Sequence, residues 1–387
     1  MIEQADVMAL WAVLPEARIV GGAVRDSLVG RTVTDVDFAV PLAPETIMAR
    51  LRTAGIKFVP TGLAHGTVMA VVGGNSFEIT TLRQDVATDG RHASVEFTDD
   101  WRVDASRRDF TINAMSAAQD GTIFDYFGGR EDLAAGVVRF VGDAVRRVEE
   151  DHLRILRFFR FFGRYGAGAP DAAAVAAITL LRDRVQQLSA ERVWAEIKSI
   201  MRAEDPRVTI GLMADTGVLE LVMPGANVAD LHALVARGAP ADPLLRIAAL
   251  MGENVTEFAA RLRLSGVERE RLGLMLVPNR LKPDADDADL RRALADDDLM
   301  VLVARSWLAQ DDADGWDELR HRLAMAKRPI FPLFGRDLTA RGVPPGPAVG
   351  KILAQVRRWW LAGGCVADRP ACLDKIAECA ALFRSAS

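Results

Sequence analysis

Two aspartates separated by one residue, Asp35 and Asp37, are the sharpest chemical feature of this 387-residue chain. They lie in Thr34-Asp35-Val36-Asp37, at the start of the run Val36–Val40, which reads as a strand. On a strand, residues i and i+2 project to the same face. Two carboxylates side by side on a half-buried sheet raise each other's pKa, and a bound divalent cation removes that penalty. Hard oxygen donors favour Mg²⁺, which keeps part of its water shell and also holds substrate phosphates. Taken alone, Asp-x-Asp equally fits two surface aspartates beside a turn.

The preceding residues sharpen the picture. Gly21-Gly22 follows a short strand, Arg18–Val20, and precedes a helix starting at Ala23–Leu28. Glycines let a phosphate approach the backbone, and a helix start offers unpaired N–H groups. Arg25 in that first turn can reach a triphosphate. A cation there opposes the helix dipole, so a purely structural arginine is less expected. The glycines also fit a plain tight turn. A third carboxylate, Glu78, alternates with Phe77 and Ile79, so it points away from the apolar face of its strand. A neighbouring strand could bring it beside the aspartates, or it could simply face solvent.

The elements that must position these groups are legible to about residue 145. Pro44–Ala54 has helical periodicity. Thr67–Val72 and Ser76–Leu82 read as a hairpin joined at Gly73-Gly74-Asn75. The polar segment Gln84–Ala93 reads as a mobile loop. Beyond about 145, apolar residues recur at the helical period, as in Leu153, Leu156, Phe159 and in Val193, Ile197, Ile200. The sequence therefore predicts an α+β chain: a mixed head over 1–145, a helical neck over 146–205, and a helical body and tail over 206–387.

Composition sets the outer limits. The chain is half hydrophobic and contains no run of about 18 uncharged apolar residues, so no membrane span is expected. The opening Met1-Ile2-Glu3-Gln4 carries no basic leader, and a cytoplasmic location is expected. The net charge of −5 argues weakly against nucleic acid, although arginines cluster between Arg139 and Arg164. Cys365, Cys372 and Cys379 lack nearby histidines and read as packing residues of a C-terminal helix.

The blocks along the chain also resemble a known family. Gly21-Gly22-x-Val24-Arg25-Asp26-x-Leu28-x-Gly30 with Asp35-x-Asp37 is similar to the first motif of class II tRNA nucleotidyltransferases (CCA-adding enzymes) and bacterial poly(A) polymerases. Arg107-Arg108-Asp109-Phe110-Thr111-Ile112-Asn113-Ala114 resembles the second motif, and Asp125-Tyr126-Phe127-Gly128-Gly129 the third. Glu150-Asp151-His152-Leu153-Arg154-Ile155-Leu156-Arg157 with Arg160 resembles the nucleotide-selecting motif, and Ser189–Glu196 the next one. The resemblance implies a polymerase-beta-like head with a small mixed sheet, then helical neck, body and tail. It implies metals held by Asp35 and Asp37 with Glu78 assisting, and a contact from Arg108 to the incoming nucleotide, beside the phosphate contacts that the residues themselves suggest for Gly21, Gly22 and Arg25. The implied substrates are CTP, ATP and a tRNA 3′ end. No protein partner is evident.

Base selection can be argued from the residues. Glu149–Phe162 reads as one helix, so Asp151 and Arg154 are neighbours on one face, with Arg157 and Arg160 continuing the row. Cytosine and adenine each present an amino donor beside a ring-nitrogen acceptor; uracil and guanine reverse that pair. Carboxylate only accepts and guanidinium only donates. Asp151 with Arg154 would therefore accept C and A, and leave buried groups unpaired against U and G. An ordinary i,i+3 salt bridge is the alternative. Arg157 could hold sugar or phosphates and Arg160 support the row. Glu191, Arg192 and Glu196 read as ion pairs bracing the helix. The loop Gln84–Ala93 is a candidate for the change of shape between C and A.

Arg336, Lys351, Arg357 and Arg358, beside Trp359-Trp360, are candidate tRNA contacts, although the tryptophans also fit helix packing. Rival readings are a poly(A) polymerase, an enzyme adding only CC or only A, an inactive RNA-binding relative, and a transferase acting on a small molecule.

Overall fold

The computed structural model describes residues 4–88, 93–251, 254–309 and 314–385. It comprises two compact units, Met1–Val228 with Arg261–Arg263, and Ala229–Ala260 with Leu264–Ser387.

The first unit opens with α1 (Gln4–Val13), β1 (Arg18–Val20), α2 (Gly22–Leu28), β2 (Asp37–Val40) and α3 (Pro44–Thr53). Strands β3 (Lys57–Gly62), β4 (Thr67–Val72) and β5 (Asn75–Thr81) follow. With β6 (Arg83–Thr88), β7 (Ala93–Phe97), α4 (Trp101–Ser106), β8 (Ser116–Ala117) and β9 (Ile123–Phe124), they complete the sheet region. Seven strands form one mixed sheet in the order β3-β4-β5-β2-β1-β8-β9. Among the described residues only the central β2–β5 pair is parallel, with Asp37 opposite Glu78.

Alternation decides the two faces. Phe38 and Val40 of β2 and Phe77 and Ile79 of β5 pack with Leu10 of α1, Leu14 just beyond it, and Ile47 and Leu51 of α3. Each of these side chains is at most 1% exposed, and burial of one such group contributes about 1.5–3 kcal/mol. The opposite face carries Asp37 and Glu78, and includes a small apolar patch of Val20, Ala39, Leu82 and the partly buried Trp101. One face thus anchors the sheet and leaves the other for polar chemistry.

The expected hairpin at 67–82 is present. The expected loop Gln84–Ala93 is corrected: Arg83–Thr88 pairs antiparallel with Ala93–Phe97. The cause lies in Val95, Phe97 and the cross-strand Gln84–Glu96 hydrogen bond of 3.0 Å, which reward strand pairing over a polar loop. Residues 89–92 of that expected loop lie outside the described residues.

Helices complete the unit: α5 (Gly129–Ala135), α6 (Ala144–Glu150), α7 (Arg154–Tyr165), α8 (Ala172–Leu181), α9 (Ala190–Met201), α10 (Arg207–Asp215) and α11 (Val218–Val222). An aromatic core fastens α7 to the chain that follows α4. Phe110 meets Phe140 at 4.9 Å and Phe161 at 5.3 Å, and Phe158 stacks on Phe162 at 6.0 Å. Packing α7 this way turns Arg157, Arg160 and Arg164 outward along one stripe, at spacings of three and four.

The helix predicted over Glu149–Phe162 is in fact broken. Asp151 is extended (φ −149°, ψ 106°) and ends α6. Its carboxylate accepts from Leu153 N at 3.1 Å, a local bond that competes with helix continuation. Asp151 and Arg154 are therefore not on one continuous helical face.

The described part of the second unit is helical. Helices Pro347–Ala362 and Arg369–Ser385 share a core in which Val356, Trp360, Cys365, Cys372 and Cys379 are buried. The cysteines are packing residues and free thiols, as expected, although Cys365 precedes the last helix in a positive-φ turn. Trp360 is buried with its indole N–H donated to Ala367 O, and Arg357 pairs with Asp296 at 2.5 Å. Among the described residues, no helix is long and apolar enough to cross a membrane.

Candidate active site

The polar face of the sheet and the exposed stripe of α7 line one cleft of about 640 Å³. Ten of the eleven residues singled out from the sequence reach it: Gly21, Gly22, Arg25, Asp35, Asp37, Arg108, Asp151, Arg154, Arg157 and Arg160. Glu78 does not line it. It stays exposed on β5, at the register of Asp37.

At the carboxylate end, Asp35 is exposed just before β2 and Asp37 opens the strand. Burial, then the charges of Asp35 and Glu78, push the Asp37 carboxyl up to about 6. Among the described residues, neither aspartate side chain accepts a hydrogen bond or pairs within salt-bridge distance, and Arg108 only offsets the repulsion partly. Such a concentration of unneutralised oxygen donors fits a hard divalent cation. It is not a ready-made cage: among the described residues, no group of three or more His, Cys, Asp or Glu is arranged to hold a metal. An ion here would complete its shell from water and substrate.

The glycine turn lies beside this pair. Gly21 has φ +64° and donates its N–H to Met115 O at 3.1 Å. A side chain at Gly21 would be strained whatever the space around it, so the tight passage from β1 into α2 requires glycine. Arg25, 6% exposed, donates Nε to Asp26 at 3.0 Å and Nη1 to Asn113 Oδ1. Its guanidinium lies over Tyr165, 4.4 Å from the ring centroid, and near Phe161. A Cβ built on Gly22 would stand 3.5 Å from Arg25 Nη2, so that nitrogen sits over the turn.

The middle of the cleft is organised by two buried acids that the sequence reading gave no role. Asp104 takes Arg107 at 2.8 Å and Arg108 at 3.3 Å. Burial alone would raise the Asp104 carboxyl, but Arg108 and Arg107 outweigh it and hold it low; burial pushes Arg107 down to about 10. Asp109 accepts from Asn113 at 2.9 Å, Phe110 N at 2.9 Å and Arg157 at 2.6 Å. Burial opposes its charge, yet Arg157 and Asn113 keep it below the usual carboxylate range. Arg157 is thus tied down rather than free. Arg160 faces Glu196 at 3.1 Å, and burial raises the Glu196 carboxyl. The signal available in the sequence was the i,i+4 pair Asp109 and Asn113 next to two arginines.

At the far end, Asp151 and Arg154 have partners other than each other. Arg192 of α9 donates to both Asp151 oxygens, at 3.1 and 2.8 Å. Arg154 Nη1 reaches Glu150 at 2.7 Å and Arg147 O at 2.9 Å, and its Nη2 reaches Arg107 O at 2.8 Å. The simple i,i+3 salt bridge is therefore not what forms. Of the ion pairs expected to brace the helix, Arg192 holds Asp151 and Glu196 holds Arg160.

A carboxylate pair on a mixed sheet, a glycine turn and an arginine-lined cleft together define a nucleotidyltransferase head. Residues 17–139 match the Poly A polymerase head domain family. Residues 170–230 match the family described as the probable RNA and SrmB-binding site of polymerase A. The chain is 37% identical over 378 residues to CCA tRNA nucleotidyltransferase 1, mitochondrial, of Homo sapiens, spanning 93% of this chain and 86% of that protein. It is 32% identical to the CCA-adding enzyme of Latilactobacillus sakei over 89% of each chain. The crystal structure of Bacillus stearothermophilus CCA-adding enzyme in complex with CTP superimposes over the whole of both chains, with TM-score 0.77 and 26% identity. A Thermotoga maritima CCA-adding enzyme complexed with tRNA shares the fold, with TM-score 0.70 over 97% of this chain at 19% identity.

The chain belongs to the CCA-adding tRNA nucleotidyltransferase family, whose head is of the poly(A) polymerase type. Membership implies use of a divalent metal. Relatives named as mitochondrial match alongside bacterial ones, so the family fixes no single compartment.

Proposed function

We propose that the protein adds C, C and A to the 3′ end of tRNA, taking CTP and ATP without a template and releasing pyrophosphate. The observation that carries this reading is the meeting of Asp151 and Arg154 with Asp35 and Asp37 in one cleft, each of the first two held by other partners. Residues 1–145 would act as the catalytic head, 146–205 as the nucleotide-selecting neck, and 206–387 as the body and tail that carry tRNA.

Base reading follows from counting N–H groups. Arg154 commits both Nη1 hydrogens and one Nη2 hydrogen to Glu150 and to two carbonyls. An arginine has five N–H donors, so Nε–H and one Nη2–H remain, side by side on one edge. That edge donates to the ring nitrogen of cytosine or adenine. Asp151, with lone pairs left beyond its two bonds from Arg192, accepts the neighbouring amino group. Uracil and guanine would set donor against donor and acceptor against acceptor, at roughly 1–3 kcal/mol for each unsatisfied buried group. Because backbone carbonyls and Arg192 hold the pair in place, selection needs no nucleic-acid template.

At the other end Asp35 and Asp37 would hold Mg²⁺, with Glu78 strengthening the field at Asp37. Magnesium bound there would acidify the terminal 3′-hydroxyl and neutralise the triphosphate. Arg25, fixed through Asp26 and Asn113, offers Nη2 to the phosphates over Gly22. Arg108, bound to Asp104 beside the same turn, lies within reach of the sugar or phosphates. Arg157, hydrogen-bonded to Asp109, supplies positive field and shape rather than free hydrogen bonds, whereas Arg160 lies 3.1 Å from Glu196 with its Nε in no hydrogen bond and keeps donors for the substrate.

The test uses tRNA lacking its last three nucleotides, Mg²⁺ and each nucleoside triphosphate, with products resolved to single nucleotides. Two C and one A followed by a stop support the reading. Long A tails would identify a poly(A) polymerase, C-only or A-only addition a partial enzyme, and no transfer would remove the proposal.

A further inference from the structure

Helix α7 spans the cleft and serves as a ruler. Arg154 opens the helix and Arg164 lies ten residues on, about 15 Å along the axis. One end faces the base-reading pair; the other faces Gly21, Gly22 and Arg25. If the base sits at Arg154, as the proposed function holds, the triphosphate of an extended nucleotide points toward the Arg164 end.

The arginines along this path differ in what they have left to offer. Arg107, Arg154, Arg157 and Arg192 each hold a carboxylate at 2.8 Å or less, and Arg160 lies 3.1 Å from Glu196 with its Nε in no hydrogen bond. Arg164 is half exposed and lines the cleft, and among the described residues its one carboxylate contact is Asp26 at 3.5 Å. Asp26 is already engaged: it takes Arg25 Nε and the Tyr165 hydroxyl. One carboxylate therefore faces two guanidinium groups, which leaves positive charge and several N–H groups around Asp26 at this end of the cleft. An oxyanion with several acceptor oxygens satisfies that excess, and guanidinium forks match phosphate geometry.

We infer that Arg164 is a further phosphate-binding residue, which holds the terminal phosphates of the incoming nucleotide and the departing pyrophosphate, and that Asp26 and Tyr165 position it together with Arg25. Tyr165 stacks against Arg25 at 4.4 Å and anchors Asp26 through its hydroxyl, so the last turn of α7 and the start of α2 carry a single anion seat. Arg31 adds a strut by donating to Arg164 O at 2.9 Å, a backbone contact that substitutions of the Arg164 side chain leave in place.

The test compares two product-like inhibitors of C addition. Pyrophosphate occupies only the phosphate end, and CMP carries the base and sugar without the leaving phosphates. In Arg164→Gln the inhibition constant of pyrophosphate rises about 10-fold, and KM for CTP and ATP rises by a similar factor, as expected for one lost charge-assisted contact in a partly exposed site. Inhibition by CMP and the preference for CTP over UTP change by less than about twofold. Arg164→Lys keeps the charge and recovers most of the pyrophosphate inhibition. Tyr165→Phe shifts the same constant in the same direction by about threefold. Unchanged pyrophosphate inhibition in Arg164→Gln overturns the inference, and so does equal weakening of pyrophosphate and CMP. Calorimetric binding of magnesium pyrophosphate to wild type and Arg164→Gln needs no turnover, so it tests Arg164 even if wild type transfers nothing to tRNA and the proposed function itself fails.

Discussion

The two ends of the cleft are built on opposite principles. At the carboxylate end, Asp35 and Asp37 stand with their charges uncompensated, and Asp37 is pushed up to about 6. At the end proposed to read the base, Asp151 is gripped by Arg192, and Arg154 by Glu150 and two carbonyls. Uncompensated charge marks where metal and substrate must supply what is missing. Compensated charge marks a rigid surface whose remaining donors and acceptors carry information. On the proposed function, catalysis would belong to the first end and selectivity to the second, and variants should separate them.

The largest effect is expected at the carboxylates. Asp37→Ala should lower transfer by at least about 10³-fold, the scale on which a preorganised electrostatic group acts. The C-over-U preference of the residual activity, measured with excess enzyme, should not move. A matching fall in preference would merge the two ends.

Next is the strut between them. Asp109→Ala strips Arg157 and Asn113 of their buried acceptor and should destabilise the fold by about 3 kcal/mol, as breaking one side of a buried pair does. Urea unfolding measures it. A loss under about 1 kcal/mol would mean that Arg157 is not held as described.

Arg192→Ala should weaken C-over-U preference about 10-fold by releasing Asp151, with the rate of C addition less affected. Single-turnover addition with CTP and with UTP would resolve this.

The smallest effect is the pH dependence of stability at Asp37. The raised Asp37 carboxyl penalises the metal-free fold above about pH 6, and the penalty fades as pH falls toward the ordinary carboxylate value. Asp37→Asn in chelator should therefore melt above wild type at pH 7.5, by about 2–4 °C for a penalty near 1 kcal/mol in this half-buried site, and the gap should close by about pH 4. A gap that widens at low pH would reverse the sign of the argument.

Much of this arrangement was legible in the chain. The alternation of Phe38 with Asp37, and of Phe77 and Ile79 with Glu78, set the two faces of the sheet, because strand periodicity depends on local geometry alone. Ten of the candidate residues share a cleft for the same reason: glycine turn, strand pair and arginine stripe are local patterns. What escaped was decided by competition between local alternatives. Asp151 has a side chain that bonds Leu153 N, and that bond breaks a helix which the apolar spacing of 149–162 favours. Gln84–Thr88 looked polar enough for a loop, yet partners on 93–97 made it a strand. The buried acids Asp104 and Asp109 escaped because only tertiary packing reveals which charged residues are out of water.

The division between the ends is tested most directly by the ratio of kcat/KM for CTP over UTP in Asp151→Asn beside wild type, on tRNA lacking its last three nucleotides. Asparagine keeps the size of the side chain but can present a donor where only an acceptor stood. The ratio is predicted to fall about 10- to 100-fold while Mg²⁺ dependence stays as in wild type. A ratio that stays at the wild-type value would place the discrimination between bases somewhere other than the Asp151–Arg154 pair.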